Sequence, residues 1–368
     1  MIQNSSASEI SPMAGKARIQ SIDVLRGFAL LGILLMNIIA FAFPLAAYTD
    51  PTIDGATQGV NLVVFASMDV LVEGSMRTIF SMLFGAGMLI FLAKRDTDVD
   101  TLRGLFYRRT VLLIAFGLVN AYIFIWPGDI LYTYGMAGLL LYFFRDFSAL
   151  QLAQYSLAIF LVLALMHIAM HMDARGMRNA VAAVEALPAG TSLTAEQEQA
   201  LEDWDAFLEG QFASPEIIQQ EYESRNSGYI DNVIASAPLN LVLQTVVLLI
   251  STLWDVLAMM LLGMAFFKWG LLDASRSSRD YWLLVIAGIG LGLPLNYLET
   301  ATYISSGFEI YWAGGNRPSY DVGRLTLAVG YIGIVMLICK HALIPWFRSG
   351  LAAVGQLALT NYLSQSLI

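Results

Sequence analysis

Between Val24 and Pro44 the sequence runs for twenty-one residues with a single ionisable side chain, Arg26. A stretch of that length and composition is wide enough to cross the hydrocarbon of a bilayer. There it must close its own backbone hydrogen bonds as a helix. Comparable windows recur near 76–93, 109–126, 129–144, 148–172, 238–267, 281–299, 322–339 and 351–368, and 60–75 reads as a weaker interfacial or re-entrant segment. The expected fold is therefore all-α, a polytopic transmembrane helix bundle of about nine spans. With 57% hydrophobic and 13% charged residues, the chain lies well above the roughly 45–50% apolar content of soluble domains. That excludes a soluble globular enzyme and a disordered chain. Residues 24–44 exceed a signal-peptide core and lead to no small-residue cleavage site, so they read as a retained helix.

The positions of lysine and arginine set an expected orientation. Lys16, Arg18, Lys94, Arg95, Arg103, Arg108, Arg109, Arg145, Lys268, Arg276, Arg279, Lys340 and Arg348 fall on alternate connections. Those connections are expected on the cytoplasmic side, with the N-terminus inside. The longest connection, 173–235, holds twelve acidic and three basic residues. It reads as an extracytoplasmic helical cap, either a solvated acidic spacer or a surface for a cationic substrate. Within it Thr194 and Gln197 have capping-box spacing and open a helix to about Leu208. Three regions follow: a five-span bundle over 1–172, the cap over 173–235 and a second membrane bundle over 236–368, whose apolar end at Leu367-Ile368 suggests further helices beyond it. The scattered basic residues give no footprint for nucleic acid. Cys339, as the single cysteine, forms no internal disulfide.

Ionisable and amide groups inside spans cost about 2.5–3.5 kcal/mol each for a central charge, so they need partners or a function. Asp23 and Arg26 share a helix face and can pair, either to anchor the helix at the headgroups or to let Arg26 clamp a phosphate-bearing donor. Asn37 must bond another helix or a ligand. Asp69, Glu73 and Arg77, spaced by four, form one helical stripe in which Glu73 and Arg77 can pair. Asp129, in the turn Trp126-Pro127-Gly128-Asp129, can cap the next helix, and Asn120 lies deeper in the preceding span. Asn296, Glu299 and Tyr303 form a polar set at a helix end. His167 and His171 have i,i+4 spacing but lack the surrounding ligands of a zinc motif, so no metal site is expected. Ser81/Gly85, Gly288/Gly292 and Gly290/Pro294 have close-packing spacing, which also permits a homodimer.

Arg18-Ile-Gln-Ser21-Ile-Asp23-Val-Leu-Arg26-Gly27 through Asn37, Phe80-Ser81-Met-Leu-Phe84-Gly85-Ala-Gly87, Arg108-Arg109 through Gly128-Asp129 with Tyr134, and Leu359-Thr360-Asn361-Tyr362 through Ser366 resemble a bacterial family of integral membrane proteins. It is the YeiB-type family, also known as domain of unknown function 418. The opening Asp-x-x-Arg-Gly followed by a membrane asparagine is similar to that of transmembrane acyltransferases of the heparan-α-glucosaminide acetyltransferase type. That resemblance implies an inner-membrane protein that takes acyl-CoA as donor on the cytosolic side and passes its acyl group to an extracytoplasmic sugar, lipid or small metabolite. By the same resemblance Asp23, Arg26 and Asn37 would organise the donor tunnel, with Arg77 joining them at the donor. Asn37, Asn120 and Asp129 are the catalytic candidates, and Glu73, Tyr134, Asn296 and Glu299 the candidates for binding substrate. Asn120 stands where many relatives carry histidine, and an amide cannot take up a proton as an imidazole does. Either Asp129 or Glu73 would then supply the base, or transfer would be direct and organised by position and electrostatics. A small-solute or lipid transporter, and a non-catalytic membrane sensor or scaffold, are the alternative readings.

Overall fold

The computed structural model describes residues 19–93, 98–210, 214–313 and 317–367. Residues 1–18, with Lys16 and Arg18, lie outside that set, as do Lys94, Arg95 and Ile368. Among the described residues the regular structure is helical. Six helical stretches are long and apolar enough to cross a membrane: Gln20–Ala42, Gly59–Leu92, Ala149–Glu185, Tyr229–Lys268, Ser278–Ser305 and Tyr320–Lys340. The expected count of about nine is not confirmed, for a reason visible in three segments. The span expected at 109–126 is the apolar end of helix 99–122, whose first turns carry Asp100, Arg103, Arg108 and Arg109. Leu131–Phe144 is too short. The span expected at 351–368 breaks at Leu357 into Pro345–Gln356 and Ala358–Gln365.

In chain order the helices are α1 (Gln20–Ala42), α2 (Gly59–Leu71), α3 (Ser75–Leu92), α4 (Val99–Tyr122), α5 (Leu131–Leu141), α6 (Ala149–Glu185) and α7 (Ala195–Gly210). They continue with α8 (Pro215–Ser227), α9 (Tyr229–Val242), a π-helical stretch Leu243–Thr252, α10 (Leu253–Lys268), α11 (Ser278–Ser305), α12 (Tyr320–Lys340), α13 (Pro345–Gln356) and α14 (Ala358–Gln365). α6 carries the chain past residue 172, and α9 carries it past residue 235. Thr194 and Gln197 bond reciprocally at the start of α7, with Thr194 N donating to Gln197 Oε1 at 2.9 Å, which is the capping box expected there.

The stripe expected over Asp69, Glu73 and Arg77 does not form. Gly74 has φ +67°, a left-handed conformation open to glycine at little cost, and it ends α2 and starts α3 at a new angle. Asp69 thus faces α11 and Arg317, while Glu73 and Arg77 face elsewhere.

Early and late helices interleave: α1 packs on α13, α3 on α10 and α12, α10 on α6, and α11 along α12. Several contacts are backbone to backbone. A Cβ at Gly263 would overlap the carbonyl of Met82, one at Gly85 that of Met260, and one at Gly288 the amide of Gly330. Gly288 and Gly292 are thus both used within the chain, against α12, whereas Gly290 faces open space.

A row of buried charges crosses the same interface. Arg324 on α12 donates to Asp321 (2.7 and 3.1 Å), to Asp255 on α10 and, at 3.0 Å, to Thr78 on α3. Asp321 also bonds His167 Nδ1 on α6 at 2.7 Å. One guanidinium therefore links three helices directly and a fourth through its carboxylate. Nearer the α2–α11 end, Arg317 grips Asp69 with two bonds of 2.6 and 2.9 Å, and Thr300 Oγ1 adds a third at 2.6 Å.

The basic connections gather at one end of the bundle. Ser21 Oγ donates to Leu272 O at 2.8 Å, Lys268 Nζ to Arg145 O at 3.0 Å, and Ser278 Oγ lies 2.9 Å from His341 Nε2.

Two stability predictions follow from this packing. Gly263→Ala should cost about 1–3 kcal/mol by forcing α3 and α10 apart, while Gly290→Ala should be neutral or slightly stabilising. Arg324→Ala should cost about 3–5 kcal/mol, because it strands two buried carboxylates. Arg103→Ala, which breaks an exposed pair with Asp100, should cost less than about 1 kcal/mol. Unfolding midpoints of the purified variants in detergent check both comparisons.

Candidate functional site

Residues 26, 30, 33 and 37 recur at helical spacing along one face of α1. Two cavities open on that face. The first, about 510 Å³, is lined near the start of α1 by Asp23 and Arg26, and by Arg109, Thr110, Tyr134 and Gln356 among apolar side chains from α3, α4 and α14. The second, about 210 Å³, is lined by Ile33, Asn37, Tyr48, Glu73, Arg77 and Trp126, with neighbouring apolar groups. Arg26 and Asn37 lie eleven residues apart, or about 16 Å along the axis at 1.5 Å per residue.

A thin divider separates the two. Leu30, fully buried on the shared face, joins Trp126, Leu131 and Tyr362 in one apolar cluster. The Tyr362 hydroxyl accepts from Ile130 N at 3.0 Å and from Trp126 Nε1 at 3.3 Å. Ile130 faces the Asn37 cavity and Leu131 the Arg26 cavity. The turn before α5 is therefore the wall between them.

In the Arg26 cavity, Arg26 Nη1 bonds Asp23 Oδ1 at 3.1 Å and reaches Gly355 O at 3.5 Å, so the expected pair is present. Arg109 lies over the Phe91 ring, 4.7 Å from its centroid. Tyr134, on the deep side, shares a 2.7 Å bond with Ser81 Oγ. The cavity thus combines guanidinium groups towards the start of α1 with apolar and aromatic walls beyond.

In the Asn37 cavity, Glu73 accepts the hydroxyls of Tyr48 (2.7 Å) and Tyr320 (2.8 Å), one on each oxygen. Arg77 touches the Tyr320 hydroxyl at 3.5 Å and makes no ion pair with Glu73, the hydroxyl standing between the two side chains. Asn37 is only 8% exposed and bonds no other helix among the described residues. Over the end of α1, Arg225 of α8 donates to the carbonyls of Ala40 and Phe41 at 3.2 and 3.3 Å. Its neighbour Glu221 accepts from Leu45 N at 3.0 Å. The acidic segment is thereby tied down beside this cavity.

The remaining sequence candidates are placed elsewhere. Asn120 Nδ2 donates to Asp129 Oδ1 at 2.8 Å, and Asp129 Oδ2 accepts from Tyr132 N at 2.8 Å, capping α5. Asn120 is fully buried and its own Oδ1 has no hydrogen-bond partner among the described residues. Asn296 donates to Val70 O at 3.0 Å, Glu299 accepts from Ser319 N and Oγ at 2.6 Å each, and Tyr303 donates to Thr49 O at 3.0 Å. These three hold α11 against its neighbours. His171 bonds Tyr311 O at 2.9 Å, away from the partner of His167. The structure therefore brings Asp23, Arg26 and Tyr134 to one cavity and Asn37, Glu73 and Arg77 to another, and it separates Asn37 and Arg77 from the other two members of their expected set.

Sequence reasoning passed over Tyr48, Asp255, Arg317, Tyr320, Asp321 and Arg324. For four of these a signal existed. Asp255 is a carboxylate in an apolar run, Asp321 and Arg324 repeat the spacing of Asp23 and Arg26, and Arg317 stands in the short connection before them. Nothing local distinguishes Tyr48 or Tyr320 from other interfacial tyrosines.

A model of the family described as "Protein of unknown function (DUF418)" matches residues 266–368. The chain is 25% identical over 365 residues to the "Uncharacterized protein YeiB" of Escherichia coli (strain K12), covering 95% of this chain and 81% of that protein. It is 24% identical to the "Uncharacterized protein YxaH" of Bacillus subtilis (strain 168), over 98% and 83% of the two chains. An "Uncharacterized 39.9 kDa protein in amylase 3'region" of Bacillus acidopullulyticus is 37% identical over 132 residues, 36% of this chain and 35% of that one. No solved structure matches. Similarity of about a quarter identity runs along nearly the whole chain and the DUF418 family model matches its last hundred residues, so this helical chain is similar to YeiB-type proteins over most of its length.

Proposed function

We propose that the protein is a transmembrane acyltransferase that takes acyl-CoA into the Arg26 cavity from the cytoplasmic side and passes the acyl group to an acceptor in the Asn37 cavity. The observation that carries this reading is the pair of cavities on one face of α1, parted by the Leu30–Tyr362 divider. Arg26 and Arg109 suit the phosphates of coenzyme A, because guanidinium donors match phosphate oxygens in pairs. The apolar walls suit the pantetheine and acyl chain. The basic connections at the same end favour a cytoplasmic orientation. In the transfer, an acceptor hydroxyl or amine attacks the thioester carbonyl and the carbon–sulfur bond breaks. Glu73, as the carboxylate of the acceptor cavity, takes the nucleophile's proton, which ends on the departing thiolate. Asn120 and Asp129 shape the turn that forms the divider and are positioning residues in this scheme.

A second reading draws on the divider itself. Its members are side chains and a turn rather than a continuous helix, and their movement would join the two cavities into a path for a phosphate-bearing amphiphile. Proteoliposome flux without thioester consumption would favour this carrier over the transferase.

The test is binding and consumption of acyl-CoA by the purified full chain. Arg26→Ala should weaken acyl-CoA binding about tenfold or more, the scale of a lost charge-assisted hydrogen bond. Glu73→Gln should preserve binding and abolish acyl transfer to candidate acceptors. Acyl-CoA affinity unchanged by Arg26→Ala would remove the donor assignment.

A further inference from the structure

The walls of the Asn37 cavity carry more hydrogen-bond donors than acceptors. Three other arginines in the bundle each have a carboxylate within bonding distance: Arg26 has Asp23, Arg317 has Asp69, and Arg324 has Asp255 and Asp321. Arg77 differs from them. Among the described residues its hydrogen-bond contact is a 3.5 Å approach to the Tyr320 hydroxyl, which is already directed at Glu73. Among the described residues no carboxylate oxygen comes within 4 Å of it. Five N–H donors on a guanidinium cannot be met by one distant hydroxyl. Asn37, more than nine-tenths buried and without a partner among the described residues, adds two further donors on the same cavity wall. Glu73 already accepts a tyrosine on each oxygen and makes no ion pair with Arg77, so its charge acts on Arg77 only from a distance and meets none of these donors directly.

We propose that the Asn37 cavity is a binding site for an oxyanion group, a phosphate ester or carboxylate, gripped by Arg77 and oriented by Asn37. This deepens the reading of that cavity as the acceptor site: the acceptor carries the oxyanion beside the hydroxyl or amine that receives the acyl group. A cavity of about 210 Å³ admits a headgroup-sized ligand and leaves coenzyme A to the larger chamber. Paired donors of guanidinium and amide type recognise phosphate or carboxylate oxygens in a fixed geometry, and in a site screened from bulk water an unmet guanidinium is costly. Two sources share this chemistry, a soluble phosphomonoester and the headgroup of an anionic phospholipid.

The experiment uses the purified full chain in two arms. In neutral detergent, radiolabelled sn-glycerol 3-phosphate is titrated, with inorganic phosphate as competitor. In nanodiscs, retention of phosphatidylglycerol is measured against phosphatidylcholine by native mass spectrometry. Saturable binding is expected in at least one arm, weakened about tenfold or more by Arg77→Gln and by a smaller factor in Asn37→Ala, and unchanged in Arg103→Ala, whose pair with Asp100 is exposed. The arm that responds identifies the source. Absence of binding in both arms, or binding lost in Arg26→Gln and kept in Arg77→Gln, would overturn the proposal. Should Arg77→Gln not fold, Asn37→Ala decides: affinity equal to that of the unaltered protein overturns it. Acyl-CoA binding measured on the same variants separates the two ideas, because loss of oxyanion binding with Arg26-dependent acyl-CoA binding intact leaves the donor reading standing.

Discussion

Arg324 holds the centre of the bundle together by being the shared cation of two carboxylates. An ion row in low dielectric gains little net stability over a well-packed apolar core, but removal of one member leaves an uncompensated charge. The row therefore acts as a registry pin for α3, α6, α10 and α12. Lipid-embedded helices have no hydrophobic drive to associate with one another, and specific polar bonds with close backbone contacts must choose the arrangement. The glycine contacts of α3 with α10 and of α11 with α12 supply the second half of that choice. Both devices meet along α12, which brings Tyr320 to Glu73 and so fixes the wall of the Asn37 cavity.

Much of the architecture was legible from residue pattern alone. Apolar run length located the six long spans, because the bilayer's width dictates it. The Asp23–Arg26 pair and the Thr194–Gln197 cap were readable because each is closed within one helical turn. Three further spans expected from apolar windows are not confirmed, since such a window says nothing about where a charged first half or an internal break sits. Glycine was the missed cue at position 74: between Glu73 and Ser75 it was compatible with a continuous helix, and its positive φ redirected the whole Asp69, Glu73 and Arg77 set. Contacts between residues hundreds of positions apart, such as Arg317 with Asp69, have no local signature beyond the presence of two expensive charges.

The candidate site was half legible for the same reason. Asn37 and Arg77 stood out as costly residues in spans, and the structure leaves them facing a cavity rather than paying their cost against other helices. Asn120, Asp129, Asn296 and Glu299 stood out equally, yet their polar groups are directed to turns, caps and neighbouring backbone. Expense alone marks a residue that must be satisfied; only geometry tells whether protein or ligand satisfies it.

The divider decides what the two cavities can do together. It is built from the turn before α5 and from Tyr362 on the short helix α14, which begins at the break after α13, and hydrogen bonds from Ile130 and Trp126 hold that tyrosine in place. Moving Leu30 itself would require α1 to shift against α13, where Gly27 and Gly355 allow backbone contact and leave no slack. Movement at Tyr362 costs its hydrogen bonds and the apolar contacts of its buried ring, but it displaces only the short helix α14. Any molecule that reaches from the Arg26 cavity into the Asn37 cavity therefore passes on the α14 side, with α1 serving as the fixed wall along which both halves of the site are aligned.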